Sequence, residues 1–170
     1  MATRVHIWNI YAPYDNRSSF CDRIQNFDIL GISSLINGGD FNMTLDRSEM
    51  CGVDCRVDPI FSRLLHLFDD YNLIDIASSP LVLTWHNGRS VEQYIEKRFD
   101  RFLVHDSLCE DFGKFHSQVE MSPLSDHCPI LLMWWTESVK NIRELFRSKK
   151  GLLRKMYNEN KLYKNQYNSR

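Results

Sequence analysis

The stretch Ser34-Leu35-Ile36-Asn37-Gly38-Gly39-Asp40-Phe41-Asn42 decides how this chain is read. Ser34-Leu35-Ile36 has the apolar character of the end of a buried strand. The glycine pair that follows would let the backbone turn sharply and present Asp40 and Asn42 at the strand's mouth. Sites on open α/β sheets are built this way, outside the ends of strands. Taken alone, the pattern also fits an ordinary loop in which Asp and Asn bond their own backbone. What surrounds it decides.

On the N-terminal side, Val5 to Tyr11 is rich in β-formers with little polarity on either face, as in a central strand, and Pro13 closes it. Ser18 and Ser19 are helix-cap candidates, Phe20, Ile24 and Phe27 form one apolar stripe, and Gly31 ends the helix. On the C-terminal side, the polar run from Met43 to Val57 reads as a surface loop. Asp58-Pro59 then starts a helix whose core stripe is Ile60, Phe61, Leu64, Leu65 and Phe68. Short strands follow at Leu73 to Ile76 and Leu81 to Trp85, with turn chemistry at His86-Asn87-Gly88 and a partner strand from Tyr94 to Val104. Strict alternation in that strand puts Phe99 and Arg101 on one face and Arg98, Asp100 and Phe102 on the other. Asp100 is then either the partner of Arg98 in a buried ion pair or a site carboxylate. A short helix from Ser107 to Phe112 and strands at Phe115 to Val119 and Ile130 to Trp135 complete the body, the last after Ser125-Asp126-His127-Cys128-Pro129.

The bulk properties limit the function classes. With 170 residues, 43% of them hydrophobic, the chain can bury one sizeable core. No run approaches the roughly 18 apolar residues of a membrane span, and no signal peptide is visible, so an intracellular protein, nuclear or cytoplasmic and not secreted, is expected. Five cysteines at irregular spacings argue against a disulfide framework, and Cys51 and Cys55 lack the second pair that a structural zinc site needs. Up to Trp135 there are 11 Lys and Arg against 19 Asp and Glu, a net charge of −8, while Thr136 to Arg170 holds 10 against 3, a net +7. The division marks a body at 1–135 and a basic tail at 136–170. Apolar residues at Val139, Ile142, Leu145 and Phe146, then Leu152, Leu153 and Met156, make the tail amphipathic and helical, a candidate contact for polyanions.

Four separated segments each end a strand with a group capable of chemistry: Tyr11, Asp40 with Asn42, Asp100, and Asp126 with His127. Convergence of several carboxylates without lysines creates a cleft suited to a hard divalent cation, Mg²⁺ or Mn²⁺, which can neutralise a phosphate and stabilise a departing oxyanion.

In this order, Asn9-Ile10-Tyr11-Ala12-Pro13, Gly39-Asp40-Phe41-Asn42, Thr84-Trp85-His86-Asn87, Arg98 to Val104 and Ser125 to Ile130 resemble the endonuclease/exonuclease/phosphatase superfamily. That superfamily includes apurinic endonucleases and pancreatic deoxyribonuclease. The doubled glycine and Arg98-Phe99-Asp100-Arg101-Phe102-Leu103-Val104 look most like the endonuclease domain of plant non-LTR retrotransposons. The resemblance implies an α/β fold, a two-sheet sandwich of the deoxyribonuclease type, with Asp126 as a metal ligand and His127 on the scissile phosphate. It further implies that Asp100 orients His127, Asp40 activates water or protonates the leaving oxygen, and Asn42 holds the phosphate or nucleophile in line. Tyr11 would donate to the phosphate, and Thr84 and Trp85 would support the cleft or touch substrate.

The chain also departs from that pattern. Relatives carry, before the Asn-x-Tyr strand, a catalytic Asn and a metal-binding Glu with no counterpart here; Glu49 and Glu92 lie in the wrong order, and Tyr14 stands where some relatives have a phosphate-contacting Asn. An N-terminally truncated domain is therefore expected, whose exposed apolar surface the tail would partly cover. The resulting expectation is a Mg²⁺- or Mn²⁺-dependent phosphodiesterase that nicks DNA, of retroelement origin, with its activity put in question by the missing ligand. The alternatives are a non-catalytic remnant that binds nucleic acid through its tail, and a phosphatase of the same superfamily.

Overall fold

The computed structural model describes residues 4–26, 30–53 and 56–135. The expected helices of the tail, and the Phe27 and Cys55 positions, lie outside the described residues. In chain order the elements are β1 (His6–Tyr11), α1 (Arg17–Asn26), β2 (Leu35–Asp40), β3 (Met50–Gly52), α2 (Phe61–Asp70) and β4 (Leu73–Asp75). There follow β5 (Trp85–His86), β6 (Ile95–Lys97), β7 (Asp100–His105), α3 (Asp106–Phe112), β8 (Lys114–Val119) and β9 (Ile130–Trp135).

The main sheet has the order β1-β2-β7-β4, with β1 parallel to β2 and β7 antiparallel to both of its neighbours. Alternation sorts its residues between two cores. Leu35 and Leu103 face α1 and α2, in a cluster with Phe41, Met43, Leu64, Leu67, Phe68 and Leu73. Ile36 and Val104 face the opposite way and pack with Leu108, Phe102, Phe115 and Leu132, which brings the β8–β9 hairpin under the sheet. The result is a layered α/β structure: helices, a four-stranded sheet, then a second sheet. A small third sheet, β3-β6-β5, lies in a separate ladder.

Amphipathic spacing accounts for α2, whose buried Leu64, Leu67 and Phe68 are one helical stripe. It begins two residues later than the Asp58-Pro59 signal indicates, because Asp58 accepts from the N–H groups of Ile60 and Phe61 in the turn before it. Leu65 is correspondingly rotated toward solvent. The α1 helix likewise starts at Arg17, leaving Ser18 and Ser19 inside its first turn. Arg63 of α2 binds Asp22 and Ser18 of α1 and fixes the helix pair.

Several sequence expectations are corrected. The glycine pair lies within β2 and makes no turn. Gly38 leaves room for the Phe102 ring, which a Cβ would meet at 2.6 Å. Gly39 has φ +143°, and a Cβ there would sit 2.0 Å from the Ile10 carbonyl oxygen. Gly39→Ala is therefore expected to lower stability by about 2–4 kcal/mol, read from chemical unfolding, since it combines a forbidden backbone region with a backbone clash.

The expected strand from Tyr94 to Val104 is two strands in different sheets, and its alternation breaks between them. Leu81 to Thr84 has no strand, and pairing starts only at Trp85. Met43 to Val57 is not a simple surface loop: Met43, Thr44, Leu45, Glu49 and Met50 are buried. The β1 strand occupies a sheet edge among the described residues, with Ile7 and Tyr11 more than 70% exposed, although its composition is that of a central strand. Cys21, Cys51, Cys109 and Cys128 are free thiols. No helix among the described residues is long and apolar enough to cross a membrane.

Candidate active site

Register places three of the expected residues in one row. Tyr11 is opposite Asp40 across β1 and β2, and Asp40 is opposite Asp100 across β2 and β7. Directly opposed residues share a face. All three therefore stand at one end of the main sheet, on the side facing the β8–β9 layer. The loop before β9 brings His127 to the same place.

His127 Nδ1 lies 2.8 Å from Asp100 Oδ2. A carboxylate can only accept, so it holds the proton on Nδ1 and turns Nε2 toward the mouth of the cleft. There Nε2 is 3.8 Å from Asp40 Oδ2, too far for a hydrogen bond and near enough for both groups to address one small substrate. Side-chain exposures of 11% for Asp40, 14% for Asp100 and 32% for His127 describe a half-buried line that stays open at the histidine. Burial pushes the Asp40 carboxyl above its ordinary value. The N–H of Asn42 opposes that shift, the charge of Asp100 adds to it, His127 opposes it and Asp126 adds to it. A carboxyl raised in this way holds its proton more firmly than a free one, which favours a role in proton transfer.

The supporting contacts come from residues far apart in sequence. Thr84 is 1% exposed, and its hydroxyl oxygen accepts from the N–H groups of Phe99 and Asp100 at 3.1 and 2.9 Å. Its carbonyl accepts from Cys128 N–H at 2.7 Å, so one buried residue ties the start of β7 to the histidine loop. Thr84 thus supports the site from behind, with no surface turned to a substrate.

Trp85 forms a bridge to His127, and its indole N–H donates to Asp126 Oδ2 at 3.0 Å. That bond leads the causes that hold the exposed Asp126 carboxyl below its ordinary value. Trp85→Phe keeps the ring and removes the donor. The Asp126 carboxyl should then rise toward its ordinary value, read from an NMR titration, with the unfolding midpoint unchanged.

Asn42 has φ 51°, a left-handed conformation that asparagine tolerates. Its N–H donates to Asp40 Oδ1 at 2.8 Å and its side-chain amide donates to the Ala12 carbonyl at 2.7 Å. Part of its donor capacity is thus spent on joining the ends of β1 and β2. Tyr11 is 77% exposed and stands beside Asp40 in register, without a hydrogen bond to the other site residues.

A group that sequence reasoning missed lies behind the row. Arg98 and Arg101 converge on Glu49 and Asp75, with side-chain exposures of 5%, 0%, 7% and 19% respectively. Arg98 grips both oxygens of Asp75 at 2.7 and 2.6 Å and reaches Glu49 at 2.6 Å. Arg101 donates to Glu49, Asp75 and the Met43 carbonyl. Arg98 is therefore not the partner of Asp100, which is left to His127. The two arginines are three apart, with a sheet break between them, and this is why strict alternation fails.

A divalent cation has one clear donor here, the exposed and ionised Asp126. Among the described residues no group of three or more His, Cys, Asp and Glu is placed to hold a metal ion. Mg²⁺ in phosphate sites commonly takes one or two carboxylates, with water and phosphate oxygens for the rest. Asp126 fits the first of those places, and no set of three protein ligands includes it among the described residues.

No protein-family model matches the chain, and no curated protein matches it either. Among solved structures it is similar to the endonuclease domain of TRAS1, a telomere-specific non-LTR retrotransposon, with 16% sequence identity and a TM-score of 0.57. The match covers 76% of this chain and 56% of that one, so the chain spans just over half the length of the domain it matches. The chain has the α/β fold of such deoxyribonuclease-like endonuclease domains.

Proposed function

We propose that this protein is a phosphodiesterase that cuts DNA, of retroelement origin, working with Mg²⁺ or Mn²⁺ held at Asp126. The observation that carries the reading is the line Asp100–His127–Asp40 at the end of the main sheet, where an oriented imidazole and a carboxyl of raised pKa face one opening. Likeness of fold to a retrotransposon endonuclease domain supports it.

In this reading His127 Nε2 contacts a non-bridging oxygen of the scissile phosphate and stabilises the charge that grows there. Asp100 keeps the imidazole in the required tautomer. Water forms the new bond to phosphorus as the bond to the leaving ester oxygen breaks, and Asp40 takes the proton from the water or delivers one to the leaving oxygen. The cation, when bound, supplies charge neutralisation at the phosphate. Asn42 holds Asp40 in place and lines the cleft, and Tyr11 offers its hydroxyl from the exposed end of the row. Residues 136–170 add a basic tail that binds the same polyanion without sequence preference.

A domain that binds DNA without cutting it is the second reading, favoured by the lack of a set of three protein ligands at the metal position among the described residues. Hydrolysis of a model diester, bis(p-nitrophenyl) phosphate, against the monoester p-nitrophenyl phosphate in Mg²⁺ separates the cases. The proposal expects diester turnover that Asp126→Ala abolishes. Preference for the monoester would make the protein a phosphatase, and turnover of neither would leave the binding domain.

A further inference from the structure

A cavity of about 260 Å³ opens next to the reaction centre, and the two share a wall. Asn42 lines the cavity and donates its N–H to Asp40, while Phe99 lines it and precedes Asp100 in the chain. The two compartments carry opposite charge. The centre holds His127 between Asp100 and Asp40, with the charge of Asp126 near enough to act on Asp40, and the cavity is lined by Arg17, Arg56 and Lys97 together with Asp58.

These cations differ in what they already hold. Arg17 is committed, donating to Asp58 and, at 3.1 Å, to the Asn42 carbonyl. It thereby braces the cavity wall against the site loop. Lys97 on β6 is half-buried, with its ammonium 5.8 Å from the centre of the Phe99 ring. Among the described residues no carboxylate lies within 4 Å of it. A partly desolvated ammonium resting only on an aromatic face lacks the anion that would offset its lost hydration.

We infer that the cavity binds the phosphodiester linkage next to the scissile one, with Lys97 on its non-bridging oxygens and the attached sugar against Phe99 and Tyr14. The inference rests on the phosphodiesterase reading and adds a direction to it. A polyanion is repelled by the three carboxylates of the centre and drawn by the adjoining cations. The strand is thus anchored through one phosphate so that its neighbour is pressed onto His127.

The test is binding of fluorescently labelled decathymidylate to the full chain in EDTA, by polarisation over a range of salt concentrations. Loss of one phosphate contact to a single strand should lower the salt slope by about 0.7. Lys97→Met is expected to weaken binding about three- to tenfold and reduce the slope by that amount. Lys97→Arg should keep the slope, and Lys114→Met, at an exposed lysine on β8, should change neither quantity. Normal strand binding with Lys97→Met matching wild type in affinity and slope would overturn the cavity assignment alone. Absence of salt-dependent strand binding by the wild type would overturn the assignment together with the phosphodiesterase reading.

Discussion

Glu49→Ala is expected to destabilise the fold by about 3–5 kcal/mol, because removing one member of a buried ionic group leaves the others uncompensated. Arg101 is fully buried and Arg98 nearly so, and without Glu49 both must share Asp75. Glu49 also accepts from the Leu45 N–H at 2.6 Å, and Arg101 from the other side holds the Met43 carbonyl at 2.9 Å. The segment following Asn42 would therefore loosen as well, and catalysis should fall beyond what the unfolded fraction explains. Urea unfolding followed by tryptophan fluorescence measures the first effect. A change below about 1 kcal/mol, the range of an exposed pair, would contradict the account.

The same group predicts sensitivity to acid. Burial opposes ionisation of Asp75, but the Arg98 hydrogen bond and the charges of Arg101 and Arg98 outweigh it and hold the carboxyl below its ordinary value. A carboxyl depressed by folding contributes stability above its unfolded value of about 3.9 and loses it as pH falls through the lower folded value. The slope of stability against pH below about 4 should be shallower in Asp75→Asn than in the wild type.

The largest effect on activity is expected at His127 and Asp100. On the proposed function, His127→Ala removes the imidazole of the centre and should slow DNA nicking by about 10²–10⁴-fold. Asp100→Ala leaves the ring without its orienting carboxylate and should cost nearly as much. The double variant should be scarcely slower than His127→Ala, because the two act as one unit through their 2.8 Å contact. Additive losses in the cycle would show that Asp100 acts elsewhere than through the histidine.

The groups of the proposed site are the part most legible in the sequence. Asp40, Asp100 and His127 end strands or adjoin them, and motifs that keep such residues beside strand signals can be recognised without knowing the pairing. The row they form follows from register, which single-strand patterns do not contain. The glycine pair is visible in sequence, but its cause is a close approach of Ile10 and Phe102 from neighbouring strands, so the pair signals a turn where a ladder runs.

The buried ionic group was not legible for a related reason. Its carboxylates lie 23 to 52 positions from the arginines they pair with, and Glu49 lies in a stretch whose composition is that of a loop. Polar residues buried by pairing leave no periodic trace. Lys97 leaves no trace for the same reason: in sequence it is one charge on a short strand, and only the cavity beside Asn42 gives it a setting.

The central claim is that the line of Asp40, His127 and Asp100 breaks phosphodiester bonds in DNA. Conversion of supercoiled plasmid to open circles by the purified full chain tests it most directly, in Mg²⁺ and in EDTA, with His127→Ala alongside. The account predicts open circles that accumulate with wild-type protein in Mg²⁺, cease in EDTA, and fall by at least about 10²-fold with His127→Ala. Equal rates for the wild type and His127→Ala would contradict it.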